Sequence, residues 1–532
     1  MTGARIPAAW GHMAVWVGAS AAFLVMAVAS TLAAAQAAEA LRFVDRSDAL
    51  PVDHRYTGGW EHFVGGGVAA FDCNGDGFPE LAVAGGTSPA RLFLNQADAP
   101  GAQLSFASGP FPELTGVTGI WPLDIDGDAR LDLAVLRVGG NLFLRGLGDC
   151  RFEDATDRWG LDPGDAWSTA FSATWEPGQA WPTLAIGNYV DRADPDGPFG
   201  TCDANLLLRP SGAGYAAPIR LEPGHCALSA LFSDWQRRGR ADLRLSNDRH
   251  YYVRDGSEQM WRMDPLRQLG PADGFDPVSI WGMGIASADI TGDGRPDVVL
   301  TSMGDQLLML SDPGGYVAAP WEMGTYATRP HLGDDGRPAT GWHAEFGDID
   351  NDGRLDLFIA KGNVDQMPEN AMADPNNLLM QMQDGRFVER SVEAGVASMA
   401  RSRGAALVDL NGDGRLDLVV VNRRAPMELW QNASDAGAWL AVTLRQKGPN
   451  AFAVGAWLEL RLPDGRVLAR EVTVGGGHGG GQAGPVHFGL GAVTAVEVRV
   501  IWPDGAVSDW VPLSAGHAVE LWRGPDGGLV IR

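Results

Sequence analysis

One nine-residue loop, Asp348-Ile349-Asp350-Asn351-Asp352-Gly353-Arg354-Leu355-Asp356, decides the fold because it recurs along the chain. Oxygen-bearing side chains occupy its positions 1, 3, 5 and 9, and glycine occupies position 6. Four further copies keep the same pattern of oxygens, at residues 72–80, 124–132, 289–297 and 409–417. So specific a spacing, repeated five times, indicates a structural unit that is built around this loop.

The spacing predicts a calcium-binding loop, because Ca²⁺ takes about six to eight oxygen ligands and alternate residues of a tight turn can point inward. Glycine at position 6 allows the sharp turn, although the second copy has Ala129 there. An EF-hand would need glutamate at position 12, where all five copies carry an aliphatic residue. Ordinary turns are also rich in Asp, Asn and Gly, so metal-free turns are the alternative. The predicted ligands of about five Ca²⁺ sites are Asp72, Asn74, Asp76, Glu80, Asp124, Asp126, Asp128, Asp132, Asp289, Thr291, Asp293, Asp297, Asp348, Asp350, Asp352, Asp356, Asp409, Asn411, Asp413 and Asp417.

A short apolar run follows each loop, such as Leu357-Phe358-Ile359 or Leu418-Val419-Val420-Val421. Runs of this length are typical of buried strands, and a second strand often follows. Continuing the register gives two further units, at residues 175–183 and 234–242, so that position 1 recurs every 51 to 61 residues. Such repeats predict an all-β fold, a seven-bladed β-propeller in which the strand around Phe43 completes the last blade.

Two of the seven loops have lost oxygen ligands. The third has Trp175 at position 1 and no acid at positions 3 and 5, so we expect it to be free of metal. The fourth keeps Asp234 and Asp242 but has Arg238 at position 5. Because a guanidinium can pair with carboxylates, we hypothesise that Arg238 replaces the cation by pairing with both acids.

The N-terminal 40 residues differ from the rest of the chain. An uncharged stretch runs from Met13 to Ala35 and is followed by small residues, a pattern typical of an export signal. The stretch is longer than a usual signal core, so an uncleaved membrane anchor is the alternative. We therefore predict a signal peptide or anchor at residues 1–40, a propeller at 41–435, and a periplasmic or secreted location.

Four cysteines in an exported chain permit disulfides. Cys202 and Cys226 lie close together in the sequence, and we predict that they form a pair. Cys73 and Cys150 are the candidates for a second bridge. A free Cys73, acting as a small residue inside its loop, is the alternative.

A change in composition follows Asn432. The acidic loops end and alternating strands begin, for example at residues 456–462 and 496–502. Pro-Asp-Gly turns at residues 463–465 and 503–505 suit the connections between such strands. We predict a separate small all-β domain at residues 436–532.

These motifs carry a resemblance to a known family. The loops resemble the FG-GAP and VCBS repeats of integrin-α-like propellers, and residues from about 440 to 512 resemble the ASPIC/UnbV domain. The second resemblance rests on Val454-Gly455-Ala456, Gln482, His487-Phe488-Gly489-Leu490-Gly491 and Trp502-Pro503-Asp504-Gly505. Together they resemble bacterial relatives of cartilage acidic protein. A glycine-rich run at 475–481 departs from the pattern, where an aromatic residue is expected.

The resemblance implies a calcium-stabilised, non-catalytic module that binds an unidentified protein or glycan, as in adhesion. The formal net charge of −25 argues against nucleic-acid binding, which needs a basic surface. Some of the tryptophans could stack on sugars, but packing in the blade core is the simpler interpretation. Four tryptophans stand just before the repeat loops, at innermost or face positions of the predicted blades: Trp121, Trp167, Trp281 and Trp342.

Two other classes of function compete with a binding module. A propeller enzyme, a lyase or a quinoprotein-type oxidoreductase, would place its site at the ring face, where His250, His331 and His343 are candidate acid–base groups. A surface assembly protein would be anchored by the N-terminal segment and joined to others through the C-terminal domain. A membrane contact is expected only if that segment is uncleaved.

Overall fold

The computed structural model describes residues 41–194, 200–249, 255–326 and 337–532. Within these ranges the regular structure is almost entirely β-strand, which confirms the all-β prediction. The described helices are α1 (Ser391–Ala394) and single 3-10 turns at Ser47–Ala49, Trp60–His62, Pro271–Asp273 and Trp321–Met323. No helix in the described ranges has both the length and the apolar character of a membrane span. The predicted export signal, His250 and His331 lie outside the described residues.

After a first short strand, β1 (Phe43–Asp45), the chain forms seven sheets of four antiparallel strands each, the first of which gains a fifth, parallel strand from the C-terminal part. Sheet 1 contains β2 (Val68–Phe71), β3 (Glu80–Val83), β4 (Arg91–Asn95) and β5 (Phe106–Ser108). Sheet 2 contains β6 (Val117–Leu123), β7 (Asp132–Arg137), β8 (Leu142–Gly146) and β9 (Phe152–Asp154). Sheet 3 contains β10 (Ser168–Thr174), β11 (Thr183–Asn188), β12 (Asn205–Leu208) and β15 (Ile219–Leu221), with a hairpin of β13 (Pro210–Ser211) and β14 (Gly214–Tyr215) inserted.

The remaining sheets repeat this antiparallel order. Sheet 4 contains β16 (Ala227–Ser233), β17 (Asp242–Asn247), β18 (Gln259–Met263) and β19 (Leu266–Gln268). Sheet 5 contains β20 (Gly282–Ala288), β21 (Asp297–Ser302), β22 (Leu307–Asp312) and β23 (Gly315–Ala318). Sheet 6 contains β24 (Gly341–Gly347), β25 (Asp356–Lys361), β26 (Asn377–Gln381) and β27 (Phe387–Glu389). Sheet 7 contains β28 (Ser402–Val408), β29 (Asp417–Asn422), β30 (Glu428–Asn432) and the N-terminal β1.

The first strands of the sheets form the core of this arrangement. β10, with the sequence Ser-Thr-Ala-Phe-Ser-Ala-Thr, is buried at every position because neighbouring sheets cover both of its faces. Each first strand contacts the first strand of the next sheet, and β28 contacts β2, so the succession is cyclic. β1 joins the two ends of this succession by pairing with β30, with Phe43 opposite Asn432. The expected role of the strand around Phe43 is thus confirmed.

The C-terminal residues form two further sheets that share one apolar core. The strands of this part of the chain are β31 (Ala438–Arg445), β32 (Trp457–Arg461), β33 (Val467–Glu471), β34 (Gln482–Ala483), β35 (Val486–Gly491), β36 (Ala495–Ile501), β37 (Val511–Ser514), β38 (His517–Arg523) and β39 (Leu529–Ile531). All of them except β34 belong to the two C-terminal sheets. One sheet has the order β35-β31-β38-β39 and the other β33-β32-β36-β37. Only β34 belongs elsewhere, because it pairs in parallel with β2 of sheet 1.

β34 ends a segment, residues 474–483, that we call the glycine finger. It lies against the first strands of the seven-sheet assembly and forms isolated bridges to four of them, at Ile120, Ala173, Leu231 and Ile285. The N–H of Ile120 donates to the Gly479 carbonyl at 3.1 Å, and that of Gly477 donates to the Ile285 carbonyl at 2.7 Å. The C-terminal domain therefore docks on the repeats and extends a segment along their common axis.

Two disulfides crosslink the chain. Cys202 pairs with Cys226, as predicted, and Cys73 pairs with Cys150. The second bridge ties the first repeat loop to the turn between β8 and β9 of sheet 2, so the alternative of a free Cys73 is wrong.

Candidate metal centres and the domain interface

The nine-residue loops lie where the first strand of each sheet ends and the second begins, and we call this side of the assembly the loop side. In the sixth loop, Asp348 accepts the N–H groups of Asp352 at 2.9 Å and Gly353 at 2.8 Å. The bond from position 6 to the position-1 aspartate recurs in the other four intact loops, where the donors are Gly77, Ala129, Gly294 and Gly414. Ala129 donates from a left-handed backbone, at φ 66°, which explains why glycine is usual there.

The position-9 aspartate ties four of the five intact loops to their sheets. Asp356 accepts the N–H of Ile349 at 2.9 Å with one oxygen and that of Gln381, on β26, at 2.8 Å with the other. Asp132, Asp297 and Asp417 make equivalent pairs of bonds. The loops thus contain the hydrogen-bonded turns of the alternative interpretation, and each carboxylate oxygen keeps a second lone pair for a cation.

Two loops bring three carboxylates together. Oxygens of Asp348, Asp350 and Asp356 lie within 4.8 Å of one another, as do those of the matching triplet Asp124, Asp126 and Asp132. Burial, followed by repulsion from Asp350, raises the pKa of Asp348 to about 8, and burial raises the pKa of Asp356 well above its usual value. A divalent cation would offset this crowded negative charge, so these residues fit the predicted calcium ligands.

Burial has the same effect on carboxylates of the other loops. It raises the pKa of Glu80 and Asp132 to about 8, and that of Asp297 and Asp409 to about 6. In the second loop Arg145 also offsets charge, because its guanidinium lies 2.7 Å from Asp126 and 2.6 Å from Asp128. In the second loop, Arg145 therefore competes with a metal cation for the carboxylates of Asp126 and Asp128.

The two degraded loops are held by other side chains. In the third, Glu176 forms a bidentate ion pair with Arg209, at 2.8 and 2.9 Å, and accepts the Thr183 hydroxyl at 2.7 Å. The sequence pattern did not identify this pair, because neither residue stands at a ligand position. A glutamate and an arginine some thirty residues apart, as here, are too common in sequences to indicate an ion pair.

The hypothesis for the fourth loop is wrong. Within the described residues Arg238 forms an ion pair with neither Asp234 nor Asp242. Asp242 accepts the indole N–H of Trp235 at 2.9 Å and lies 3.6 Å from Arg262 instead. Arg262, on the adjacent strand β18, thus lies where the hypothesis placed Arg238.

The C-terminal domain contacts part of the loop side. Glu471 accepts the backbone N–H of Asp234 at 2.7 Å and the hydroxyl of Ser233 at 2.6 Å. Arg237, from the same loop, forms an ion pair with Glu459 at 2.5 Å and lies 3.9 Å from the ring centroid of Trp457. The degraded fourth loop is therefore a docking element.

The same domain also meets the fifth and sixth loops. Gly491 donates its N–H to the Asn351 carbonyl at 2.6 Å, and Gly437 donates to that of Asp350 at 2.9 Å. Arg470 lies partly buried beside the fifth and sixth loops; burial lowers its pKa, which the carboxylates of Asp289 and Asp348 partly restore. These contacts place a protein cation next to two of the predicted metal sites.

The axis of the assembly is filled by the glycine finger. His343, the described candidate for catalysis, is buried, and its Nδ1 accepts the His478 N–H at 3.0 Å. Its Nε2 lies 3.2 Å from Glu345. The ring of His478 accepts the Gly65 N–H at 3.0 Å and packs 5.2 Å from Trp342. Both nitrogens of His343 are thus engaged within the protein.

The tryptophans that precede the loops are core residues. Trp121, Trp167 and Trp342 are buried, and Trp281 packs as a partly buried neighbour of the cluster that contains Trp167 and Trp342. The sugar-stacking interpretation therefore fails for the three buried rings. Among the described tryptophans Trp60 and Trp321 are the exposed ones.

Comparisons with known proteins agree with the motifs. Residues 72–135 match a model of the FG-GAP-like repeat, and residues 446–526 match a model described as ASPIC and UnbV. Cartilage acidic protein 1 of Xenopus tropicalis is 27% identical over 255 residues, which cover 45% of this chain and 36% of that protein. The mouse protein is 26% identical over 243 residues, covering 44% and 35%. The chain thus matches about a third of the length of these curated relatives.

The BP39L lectin from Burkholderia pseudomallei is similar with a TM-score of 0.43 and 13% identity, covering 74% of this chain and all of the lectin.

Proposed function

The chain is an FG-GAP-repeat protein with a C-terminal ASPIC/UnbV domain, related to the cartilage acidic proteins, and from this premise we propose that it is an exported, calcium-binding module that recognises a protein or a glycan without catalysis. In this proposal the seven cyclic sheets are the blades of a β-propeller. The two disulfides support export, since such bonds persist in oxidising compartments.

The occupied axis carries the proposal. A propeller enzyme needs space and convergent acid–base groups near the axis, whereas here the glycine finger fills that region. His343 uses both ring nitrogens within the protein and is 5% exposed. An assembly whose axis is occupied and whose loop side is partly covered by the C-terminal domain keeps its remaining surface for binding.

Calcium has a structural role in this proposal. The ligands would come from positions 1, 3, 5 and 9 of the five intact loops, as the sequence predicts. A bound cation would remove the repulsion among buried carboxylates such as Asp348 and Asp356 and so stiffen the loops on which the C-terminal domain rests. Calcium binding would then favour the folded assembly by mass action.

The test measures melting temperature, bound metal and ligand binding on the purified protein. We expect calcium to raise the melting temperature relative to chelator, with about five ions bound per chain. On arrays of glycans and surface proteins we expect binding without turnover of the bound ligand. An equal melting temperature with and without calcium would contradict the structural role of calcium. Turnover of a bound ligand would contradict the non-catalytic role.

Export is tested separately by fractionation. Recovery of the protein from periplasm or medium, with an N-terminus near Leu41, is the expected result. Recovery of intact residues 1–35 with membranes would show the anchored alternative.

A further inference from the structure

Three consecutive sheets carry an arginine at the same place on the chain after their third strand begins. The residue that directly follows each nine-residue loop pairs with a residue of the third strand, as Leu133 pairs with Leu144 in sheet 2. In sheets 2, 3 and 4 the residue after this partner is an arginine: Arg145, Arg209 and Arg262. At the equivalent place the other four sheets have uncharged residues: Leu94, Leu310, Met380 and Gln431.

Each of these arginines approaches a carboxylate of the loop in its own sheet. Arg209 forms the bidentate pair with Glu176 in the third loop, and Arg262 lies 3.6 Å from Asp242 in the fourth. Both of these loops have lost oxygen ligands, and in both a guanidinium supplies positive charge beside the acids that remain. The second loop differs, because it has the arginine and also keeps all four of its acids.

In the second loop the arginine holds two of the predicted calcium ligands. Arg145 donates from Nε to Asp126 Oδ2 at 2.7 Å and from Nη2 to Asp128 Oδ2 at 2.6 Å. Asp126 and Asp128 occupy positions 3 and 5 of the loop. All three side chains are less than a quarter exposed, so water screens the pairing only in part. The guanidinium thus uses one oxygen of each carboxylate that a calcium ion would attract.

The other arginine of this loop is not distinctive. Arg130, at position 7, forms an ion pair with Asp128 at 3.3 Å. Three further intact loops have the same pairing between positions 7 and 5, and their arginines are Arg295, Arg354 and Arg415. Because four of the five intact loops share this pairing, Arg145 and not Arg130 sets the second loop apart.

The sixth loop provides a matched comparison. Both loops have aspartate at positions 1, 3, 5 and 9, and in both loops three carboxylates come within 4.8 Å of one another. The sixth loop has Met380 at the place where the second has Arg145. The third strand therefore supplies a neutral thioether in sheet 6 and a guanidinium in sheet 2, beside the same set of acids.

Glu153 offers Arg145 another partner. It lies directly across from Arg145 on the neighbouring strand β9, and its Oε1 is 4.0 Å from Nη1 of the guanidinium. The Glu153 side chain is 45% exposed and also pairs with Arg158 at 3.2 Å. A guanidinium that leaves the loop can therefore keep a carboxylate partner, so its release does not strand an unpaired charge.

We propose that Arg145 makes the second loop a conditional calcium site, which binds the ion more weakly than the sixth loop and fills at a higher calcium concentration. Binding requires that the guanidinium leave Asp126 and Asp128 and pair with Glu153 instead. Two cations that compete for the same oxygens lower each other's apparent affinity. The inference rests on the proposed calcium-binding function and adds its regulation, because this loop responds to calcium where the sixth is already occupied.

The experiment measures the calcium bound per chain against the free calcium concentration, with the full chain in chelator-buffered solutions. The step that Asp128→Ala removes belongs to the second loop, and the step that Asp356→Asn removes belongs to the sixth. In wild type we expect the second-loop step at a calcium concentration about tenfold or more above the sixth-loop step, since a hydrogen bond between charged groups typically contributes about that factor. Arg145→Met, which copies the sixth loop, should lower the concentration of the second-loop step by about the same factor.

Two further variants separate competition from a structural role of Arg145. Arg130→Met is the matched control, because it removes the position-7 arginine of the same loop and should leave most of the difference in place. Glu153→Gln should weaken the second-loop step in wild type and leave it unchanged in Arg145→Met, since only a released guanidinium needs Glu153. Melting curves in saturating calcium check that every variant folds.

The inference is overturned if Arg145→Met leaves the second-loop step where it is in wild type, or if Arg130→Met shifts that step as far as Arg145→Met does. It is also overturned if the second loop of wild type binds calcium as tightly as the sixth. In each of these cases calcium still binds, so its proposed structural role stands. Absence of bound calcium from wild type and from all variants would instead reject that role together with the inference.

Discussion

Replacing Gly480 with alanine should undock the glycine finger. A Cβ atom at Gly480 would lie 2.1 Å from the carbonyl oxygen of Val68, on the first strand of sheet 1. The obstacle is backbone within a paired strand, so it cannot rotate away as a side chain would. The finger must therefore move out of its groove if the substitution is to be accommodated.

The cost follows from what the movement breaks. Relieving such a contact costs about 1–3 kcal/mol in a packed interior. Displacement also weakens the bonds from Ile120 N–H to the Gly479 carbonyl and from Ala70 N–H to that of Gly481, each worth about 0.5–1.5 kcal/mol. Together we expect a loss of about 2–6 kcal/mol in the free energy of unfolding.

Denaturant unfolding followed by tryptophan fluorescence measures this loss. Trp121 lies beside Gly481 and Trp342 beside His478, so both rings report on the finger. Gly484→Ala is the control, because its Cβ would meet no described atom within 4 Å and its φ is not left-handed. Equal midpoints for Gly480→Ala and the control would refute the reasoning that the finger is held by close backbone packing.

Three further predictions follow from the loops, the long disulfide and the buried histidine. Asp356→Asn should reduce the calcium bound per chain by about one ion, as metal analysis would show. It should also reduce the rise in melting temperature that calcium causes. An unchanged number of bound ions would show that Asp356 is not a ligand. Cys73→Ala with Cys150→Ala should lower the unfolding free energy by about 4 kcal/mol, because the bridge closes a loop of 77 residues, and an unshifted denaturation midpoint would contradict it. Burial lowers the pKa of His478 from 6.5 to about 3, so between these pH values only the unfolded chain binds the proton and stability falls on acidification. In saturating calcium, His478→Gln should abolish about 2 kcal/mol of the loss between pH 7 and 5, and an identical pH profile would count against this assignment.

The repeat loops and their sheets could be predicted because their signal is local. Oxygens at fixed positions followed by an apolar run, as at Asp348 to Ile359, encode a turn and a buried strand without reference to distant residues. That the strand around Phe43 completes the last sheet could be predicted from the strands each unit needs, whereas its register opposite Asn432 could not. The pairing of Cys202 with Cys226 followed from their proximity in the sequence.

The glycine finger could not be predicted in the same way. Its bonds, such as that from Gly477 to the Ile285 carbonyl, are made by backbone atoms, which every residue possesses. The glycines let the finger fit because they carry no side chain, as the close approach of Gly480 to Val68 shows. In a sequence, however, a run of glycines suggests a flexible loop. The pairing of Glu176 with Arg209 was missed for a related reason, since it depends on the tertiary approach of two residues outside the repeat pattern.

Loss of ligands in the third and fourth loops fits the position of the C-terminal domain. A loop that must stay ordered needs its strand ends fixed, either by a cation among carboxylates or by charges that the protein supplies. Glu176 with Arg209 supplies them in the third loop, and Glu471 of the C-terminal domain bonds to the backbone of the fourth. Once Glu471 is in place, a further carboxylate cage beside it would add repulsion rather than order. The docking of this domain thus makes metal ligands unnecessary in the fourth loop.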